Sequence, residues 1–169
     1  MDGAVLEEVK TRLAGAFSLP VRLHPSLSEP SYAFEPHRCQ FYSTKILKDL
    51  ESRRPPDGLR MVGITDVDLC TAVLTFVFGE AQLGGTSAVV SLARLRQEFY
   101  RLPTDPGLVS SRAGKEAVHE VGHTFGLTHC AADCVMHFSP TVAGIDQKRP
   151  EFCPDCREIL EKIVVPIRD

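Results

Sequence analysis

Residues 115–130 read Lys-Glu-Ala-Val-His-Glu-Val-Gly-His-Thr-Phe-Gly-Leu-Thr-His-Cys, and the positions of His119, His123 and His129 in that run constrain the chain around them. On a helix turning 100° per residue, His119 and His123 fall within about 40° of each other and about 6 Å apart along the axis, so both imidazoles reach one point. His129 does not: in an unbroken helix it would lie about 9 Å beyond His123 and be turned roughly 120° away. The helix therefore has to stop. Gly126 stands where it can do so, because glycine takes the left-handed conformation that ends a helix and reverses the chain, bringing His129 back toward the other two.

Three imidazoles converging on one point are a ligand set for zinc, which accepts nitrogen at about 2.0 Å in tetrahedral geometry and leaves a fourth position open in catalytic sites. Such a site lowers the pKa of water at the open position toward about 7 and polarises a carbonyl. Glu120, next to His119 but off the direct line of the two histidines, is suited to take a proton from that water and deliver it to a leaving amine. A bare H-E-x-x-H can arise by chance on an amphipathic helix, whereas Gly126 and His129 at the added spacing make the pattern specific.

A second cluster of potential ligands follows at once. Cys130 adjoins the third histidine, Cys134 comes next, and Cys153-Pro154-Asp155-Cys156 supplies a C-x-x-C pair. Four thiolates in two close pairs suit a closed tetrahedral zinc site, with two disulfides or scattered thiols as the alternative. The amino terminus lacks the basic and apolar segments of an export signal, so a reducing, cytoplasmic setting is expected, and that favours metal over disulfides. Cys39 and Cys70 have no near partner and are expected to be free thiols in or near the core.

Through HEVGHTFGLTHC, CVMHFS and FCPDC, the sequence resembles the archaemetzincins, a metzincin branch in which the three-histidine motif precedes a four-cysteine site. Weaker matches around KEAVHE, FVFGEA, AVVSLARL and RCQFYSTKILKDL extend the resemblance over roughly residues 36 to 165. It implies an α+β (α/β-like) metzincin fold: a mixed twisted sheet, backing helices, an active-site helix, and a small irregular carboxy-terminal subdomain closed by a helix. It also implies one catalytic domain over 1–169, with 1–127 ending in the active-site helix and 128–169 stapled by zinc. Met136 then resembles the methionine of the Met-turn, a hydrophobic floor under the ligands. The resemblance further implies a zinc metallopeptidase with two zinc ions, acting on peptides and in some members as an aminopeptidase. One departure stands out: three residues separate Cys130 from Cys134, where four are expected in most relatives, which leaves the shape of that loop open.

The rest of the sequence is compatible with this. At 169 residues, 43% hydrophobic and 24% charged, the chain suits one core, and its net charge of −3 gives no electrostatic reason to expect nucleic acid. No apolar run is long enough to span a membrane. Apolar residues at helical spacing predict helices over 4–16 and around Ile46, Leu47 and Leu50, another from near Leu108 or Ser110 to about Leu127, and a last one soon after Pro150. Strands are expected at Val21–Leu23, Arg60–Thr65, Val73–Phe78 and Ser87–Ala93, the second and third of them buried. Asp66 and Asp68 are expected to satisfy turn or cap donors, with calcium as the alternative, and Lys115 with Glu116 to form an exposed ion pair. His24, His37 and His137 have no ligand spacing. A peptide substrate is expected to lie along the Ser87–Ala93 strand as an added strand. Two further readings stay open: a zinc-stabilised module that binds peptides with little turnover, and a hydrolase of some non-peptide amide.

Overall fold

A computed structural model of the chain describes residues 3–168. Its elements are α1 (Gly3–Phe17), β1 (Phe34–Glu35), β2 (Gln40–Tyr42), α2 (Ser43–Arg53), β3 (Met61–Thr65), β4 (Leu69–Cys70), β5 (Gly79–Ala81), β6 (Ser87–Ser91), α3 (Pro106–Thr124), α4 (Val142–Gln147) and α5 (Pro154–Arg168). The fold is α+β, with two small mixed sheets in strand order β1-β2-β4 and β3-β6-β5. In the second sheet β6 runs parallel to β3 and antiparallel to β5.

Strand β6 is buried throughout, and its alternation divides the molecule. Ala88 and Val90 face the main core, where Val5, Val9, Leu13 and Phe17 of α1 pack with Val109, Ala113, Ala117, Val118 and Val121 of α3. Val89 points the other way, to Ile46, Leu47 and Leu50 of α2 and to Leu69. Helix α3 is thus enclosed by α1, the sheet and the carboxy-terminal segment. It starts at Pro106 because the side chain of Asp105 accepts from the Leu108 N–H at 2.9 Å and proline suits the first turn, two signals earlier than the expected start.

Several expectations are corrected. Residues 21–23 form no strand. The Val73–Phe78 run is not a strand either: the Thr71 hydroxyl accepts from the Val73 and Leu74 N–H groups, bending the chain into a turn that leaves Val73 89% and Leu74 53% exposed. Its apolar residues enter regular pairing only at Val77, in an isolated bridge to Leu69. Strand β3 is half-buried rather than buried. Strand β6 has β3 on one side and β5 on the other, so no peptide can add to it. Asp68 is held by both Nε and Nη2 of Arg94, and Asp66 by Arg96, so arginine pairs stand where turn or cap contacts were expected, with calcium the alternative. Cys70 is buried as expected, but Cys39 is exposed.

Lys115 and Glu116 are not an exposed pair, because the face of α3 that carries them is covered by the segment around α4. The Lys115 ammonium donates to the Ile145 and Asp146 carbonyls at 2.8 and 2.9 Å. Glu116 instead pairs with Lys148 at 2.7 Å, with side chains only 6% and 2% exposed. Removing one partner leaves the other charge buried and unpaired, which costs about 3–5 kcal/mol. Chemical denaturation should therefore show Glu116→Leu destabilised by about that amount, and Glu116→Leu combined with Lys148→Met recovering most of it. Equal losses in the single and double variants would show that the pair contributes through its packing and not its charge.

Candidate metal centre

The helix ends as the spacing requires. Gly126 has φ of 86°, its N–H donates to the His123 carbonyl at 2.9 Å, and the Leu127 N–H reaches back to the Gly122 carbonyl at 3.2 Å. Together these make the Schellman termination, with glycine in its left-handed position. The reversal carries His129 back to the helix. The ligand atoms of His119, His123 and His129 lie within 4.8 Å of one another, and Nε2 of His119 is 3.1 Å from Nε2 of His123.

Two carbonyls orient the rings. His119 Nδ1–H donates to the Val135 carbonyl at 2.8 Å and His123 Nδ1–H to the Leu127 carbonyl at 2.7 Å, which turns both Nε2 lone pairs inward. Burial favours the uncharged ring at His119, whose imidazole is pushed down to about 2, chiefly by desolvation and then by the Lys148 ammonium 3.5 Å away. Desolvation also lowers His123 and His129. Neutral imidazoles with aligned lone pairs fit zinc, whose bonds of about 2.0 Å set neighbouring nitrogens about 3.3 Å apart. Phe138 packs on His129, ring centroids 5.0 Å apart, and fully buried Met136 lies against Gly122.

Glu120 is buried and points toward β5. A Cβ on Gly79 would come within 2.7 Å of its Cγ and 2.8 Å of the Val89 carbonyl, so only glycine lets this strand and this carboxylate share the space. Desolvation, reinforced by Glu116, raises the Glu120 carboxyl well above its ordinary range. That is the direction required of a group that takes up and returns protons near neutral pH.

The second cluster joins Cys130, Cys134, Cys153 and Cys156, whose sulfurs lie within 4.8 Å of one another despite the short Cys130–Cys134 loop. All four are free thiols. Cys130 Sγ and Cys153 Sγ are 3.8 Å apart, far from a disulfide bond but equal to the edge of about 3.8 Å of a tetrahedron with 2.3 Å Zn–S bonds. The Cys153 and Met136 N–H groups point at Cys134 Sγ at 3.3 and 3.4 Å, an arrangement that favours thiolate. Burial raises Cys134 and Cys156, whereas the Cys156 N–H lowers Cys153.

The structure thus brings together every ligand expected from the sequence and leaves His24, His37 and His137 outside both clusters. It adds three contributors that spacing could not supply. Lys148 and the Val135 carbonyl reach His119 across long sequence separations, and nothing local marks either one. Gly79 did carry a signal, since glycine at the end of an apolar run marks close backbone approach.

Residues 4–162 match the model of Peptidase family M54. An archaemetzincin of Methanocaldococcus jannaschii is 41% identical over 162 residues, covering 95% of this chain and 88% of its own. The crystal structure of the archaemetzincin of Methanopyrus kandleri is similar at a TM-score of 0.85 and 34% identity, over 96% of this chain and 87% of that one. A zinc-dependent peptidase of Methanocorpusculum labreanum also has a TM-score of 0.85, with 31% identity over 92% and 93% of the two chains. With 87% or more of each of these relatives and over nine tenths of this chain aligned, the chain belongs to the archaemetzincins, peptidase family M54, and is a zinc metallopeptidase.

Proposed function

We propose that His119, His123 and His129 hold the catalytic zinc, that Glu120 transfers the proton, and that an extended peptide lies along β5. The observation that carries this reading is the meeting of three inward-facing imidazoles, a buried carboxyl and a free strand edge in one place. When bound, zinc supplies Lewis acidity, polarising the scissile carbonyl and acidifying water. Glu120 takes the proton and delivers it to the departing amine, which leaves as a neutral product. The Val135 and Leu127 carbonyls keep the imidazoles aimed throughout.

Strand β5 replaces β6 as the place for substrate. Its ladder partners are read from the Ser91 N–H bond to the Phe78 carbonyl and the Gln82 N–H bond to the Ser87 carbonyl. In an antiparallel ladder, bonding to one neighbour alternates along the strand, so the backbone groups of Gly79 and Ala81 face the open edge. A peptide pairing there is drawn out straight beside Glu120. Free and N-acetylated peptides, compared on zinc-loaded protein, distinguish aminopeptidase action from cleavage of internal bonds.

We also assign the four thiolates to a second, structural zinc that staples residues 128–169 to the active-site helix within one domain. Glu120→Ala should retain metal and fold but lose about 10² to 10⁴ in rate, measured by peptide turnover and metal content; activity within threefold of the parent would assign proton transfer elsewhere. Gly79→Ala should keep both metals and lose about 10²-fold in kcat, because the added methyl displaces the strand edge or the Glu120 side chain. An unchanged kcat would remove β5 from the site. Phenanthroline should strip one zinc per chain with loss of activity and little change in circular dichroism, since only the histidine site has an open position. Loss of the second should then unravel the carboxy-terminal segment, and simultaneous loss of both with global unfolding would contradict this division.

A further inference from the structure

A cation packed against a metal ligand opposes the binding of metal, and the Lys148 ammonium is packed in that way. Its Nζ lies 3.5 Å from Nδ1 of His119, the ring nitrogen that is not aimed at the metal. That Nδ1 carries its proton toward the Val135 carbonyl, so the ammonium meets the ring as a charge and not as a donor. The Lys148 side chain is 2% exposed, and water does little to screen it. Backbone fixes its delivery: Lys148 is the C-cap of α4, and its N–H donates to the Gly144 carbonyl at 3.1 Å.

The charge that offsets it comes from Glu116, one turn before His119 on α3. Glu116 Oε1 stands 2.7 Å from the Lys148 Nζ, with its side chain 6% exposed. No hydrogen-bond donor is aligned on that oxygen among the described residues, so the contact is one of opposite charges. The other charges on this side of α3 are committed elsewhere. The Lys115 ammonium donates to the Ile145 and Asp146 carbonyls, and the Asp146 carboxylate is gripped by Arg112. Glu120 extends toward Gly79. Glu116 is thus the anion that neutralises a buried positive charge placed against a metal ligand.

Given the assignment of the histidines to zinc proposed above, we infer that Glu116 is a positioning residue that sets the affinity for the catalytic zinc, acting through Lys148 and His119. By neutralising the ammonium beside the ring, it lets the three imidazoles retain a dipositive ion. Charge and packing make different demands on the pair. For fold stability both single variants lose, since either one leaves a buried charge unpaired. For metal affinity they diverge. Without Glu116 an unopposed cation faces the zinc, whereas loss of Lys148 removes the repulsion itself.

The test measures zinc affinity at the histidines of the full chain, with the thiolate site kept loaded, by competition with a chromophoric chelator at fixed pH and ionic strength. Glu116→Gln keeps the shape and removes the charge, and should weaken zinc binding about 10- to 100-fold, the range for losing a group that supports a metal ligand. Lys148→Met should bind zinc at least as tightly as the parent, and the two changes combined should return affinity to within about threefold of it. Cobalt at the histidines should give the same visible spectrum in all four proteins, as an unchanged ligand set requires. Glu116→Asp keeps the carboxylate but shortens its reach; it should weaken binding about threefold and carries the test if the neutral variant does not fold. Unchanged affinity in both Glu116 variants, or Lys148→Met binding as weakly as Glu116→Gln, would show that the pair acts by packing alone and would overturn the inference. A parent protein that takes up zinc only at the thiolates would sink the histidine assignment itself, and this inference with it.

Discussion

The termination of α3 at Gly126 is the constraint on which the rest of the site depends. A φ of 86° there closes the two carbonyl bonds of the helix end and sends the chain back on itself. The same reversal places the Leu127 carbonyl on His123 Nδ1, brings His129 to the other two imidazoles, and delivers Cys130 to the thiol cluster. The return path is equally short. Cys134 belongs to the sulfur cluster, the next residue offers its carbonyl to His119, and the one after that, Met136, packs beneath Gly122 and accepts from the Cys130 N–H at 3.0 Å. The two clusters are therefore joined by chain connectivity on both sides, and the sulfur cluster fixes the strand of chain from which His119 takes its orientation.

Burial sets the electrostatics of the same helix. Helix α3 carries Arg112, Lys115, Glu116, His119 and Glu120 inside the protein, a concentration that would be ruinous without partners. Arg112 is answered by the Asp146 carboxylate, Lys115 by carbonyls at the end of α4 and Glu116 by Lys148, while burial shifts His119 and Glu120 toward their neutral forms. Helix α4 is only a short piece, yet it supplies both an acid and two carbonyls to this arrangement, which explains why an otherwise irregular segment is held so closely against α3.

Site residues were more legible in the sequence than the surfaces around them. His119, His123, Gly126 and His129 are close in sequence, so their geometry follows from helical rise and from the conformation that glycine allows, and the structure agrees. The four cysteines are legible as pairs for the same reason. What failed depended on the tertiary environment. Lys115 and Glu116 have the spacing of a solvated helix face and become buried only because residues some thirty positions away cover them. The Val73–Phe78 run has strand composition, but one hydroxyl, that of Thr71, captures the backbone donors of Val73 and Leu74 and makes a turn.

The misplacement of the substrate strand has a more general cause. Composition picks out β6, because a strand buried on both faces must be rich in small and β-branched residues. The same burial disqualifies it, since a strand covered on both faces at the centre of its sheet has spent its backbone groups on β3 and β5. A strand able to accept a peptide has to be at an edge, and a protein that keeps such an edge exposed must limit its capacity to pair with other chains. Strand β5 meets both demands by being three residues long, Gly79, Glu80 and Ala81. Its glycine admits Glu120 to the edge, and its glutamate is turned away onto the Ser43 and Thr44 hydroxyls of α2, anchoring the strand from the opposite face. The features that weaken Gly79–Ala81 as a strand signal in the sequence are the ones that let it stand at the sheet edge beside the buried Glu120 carboxyl.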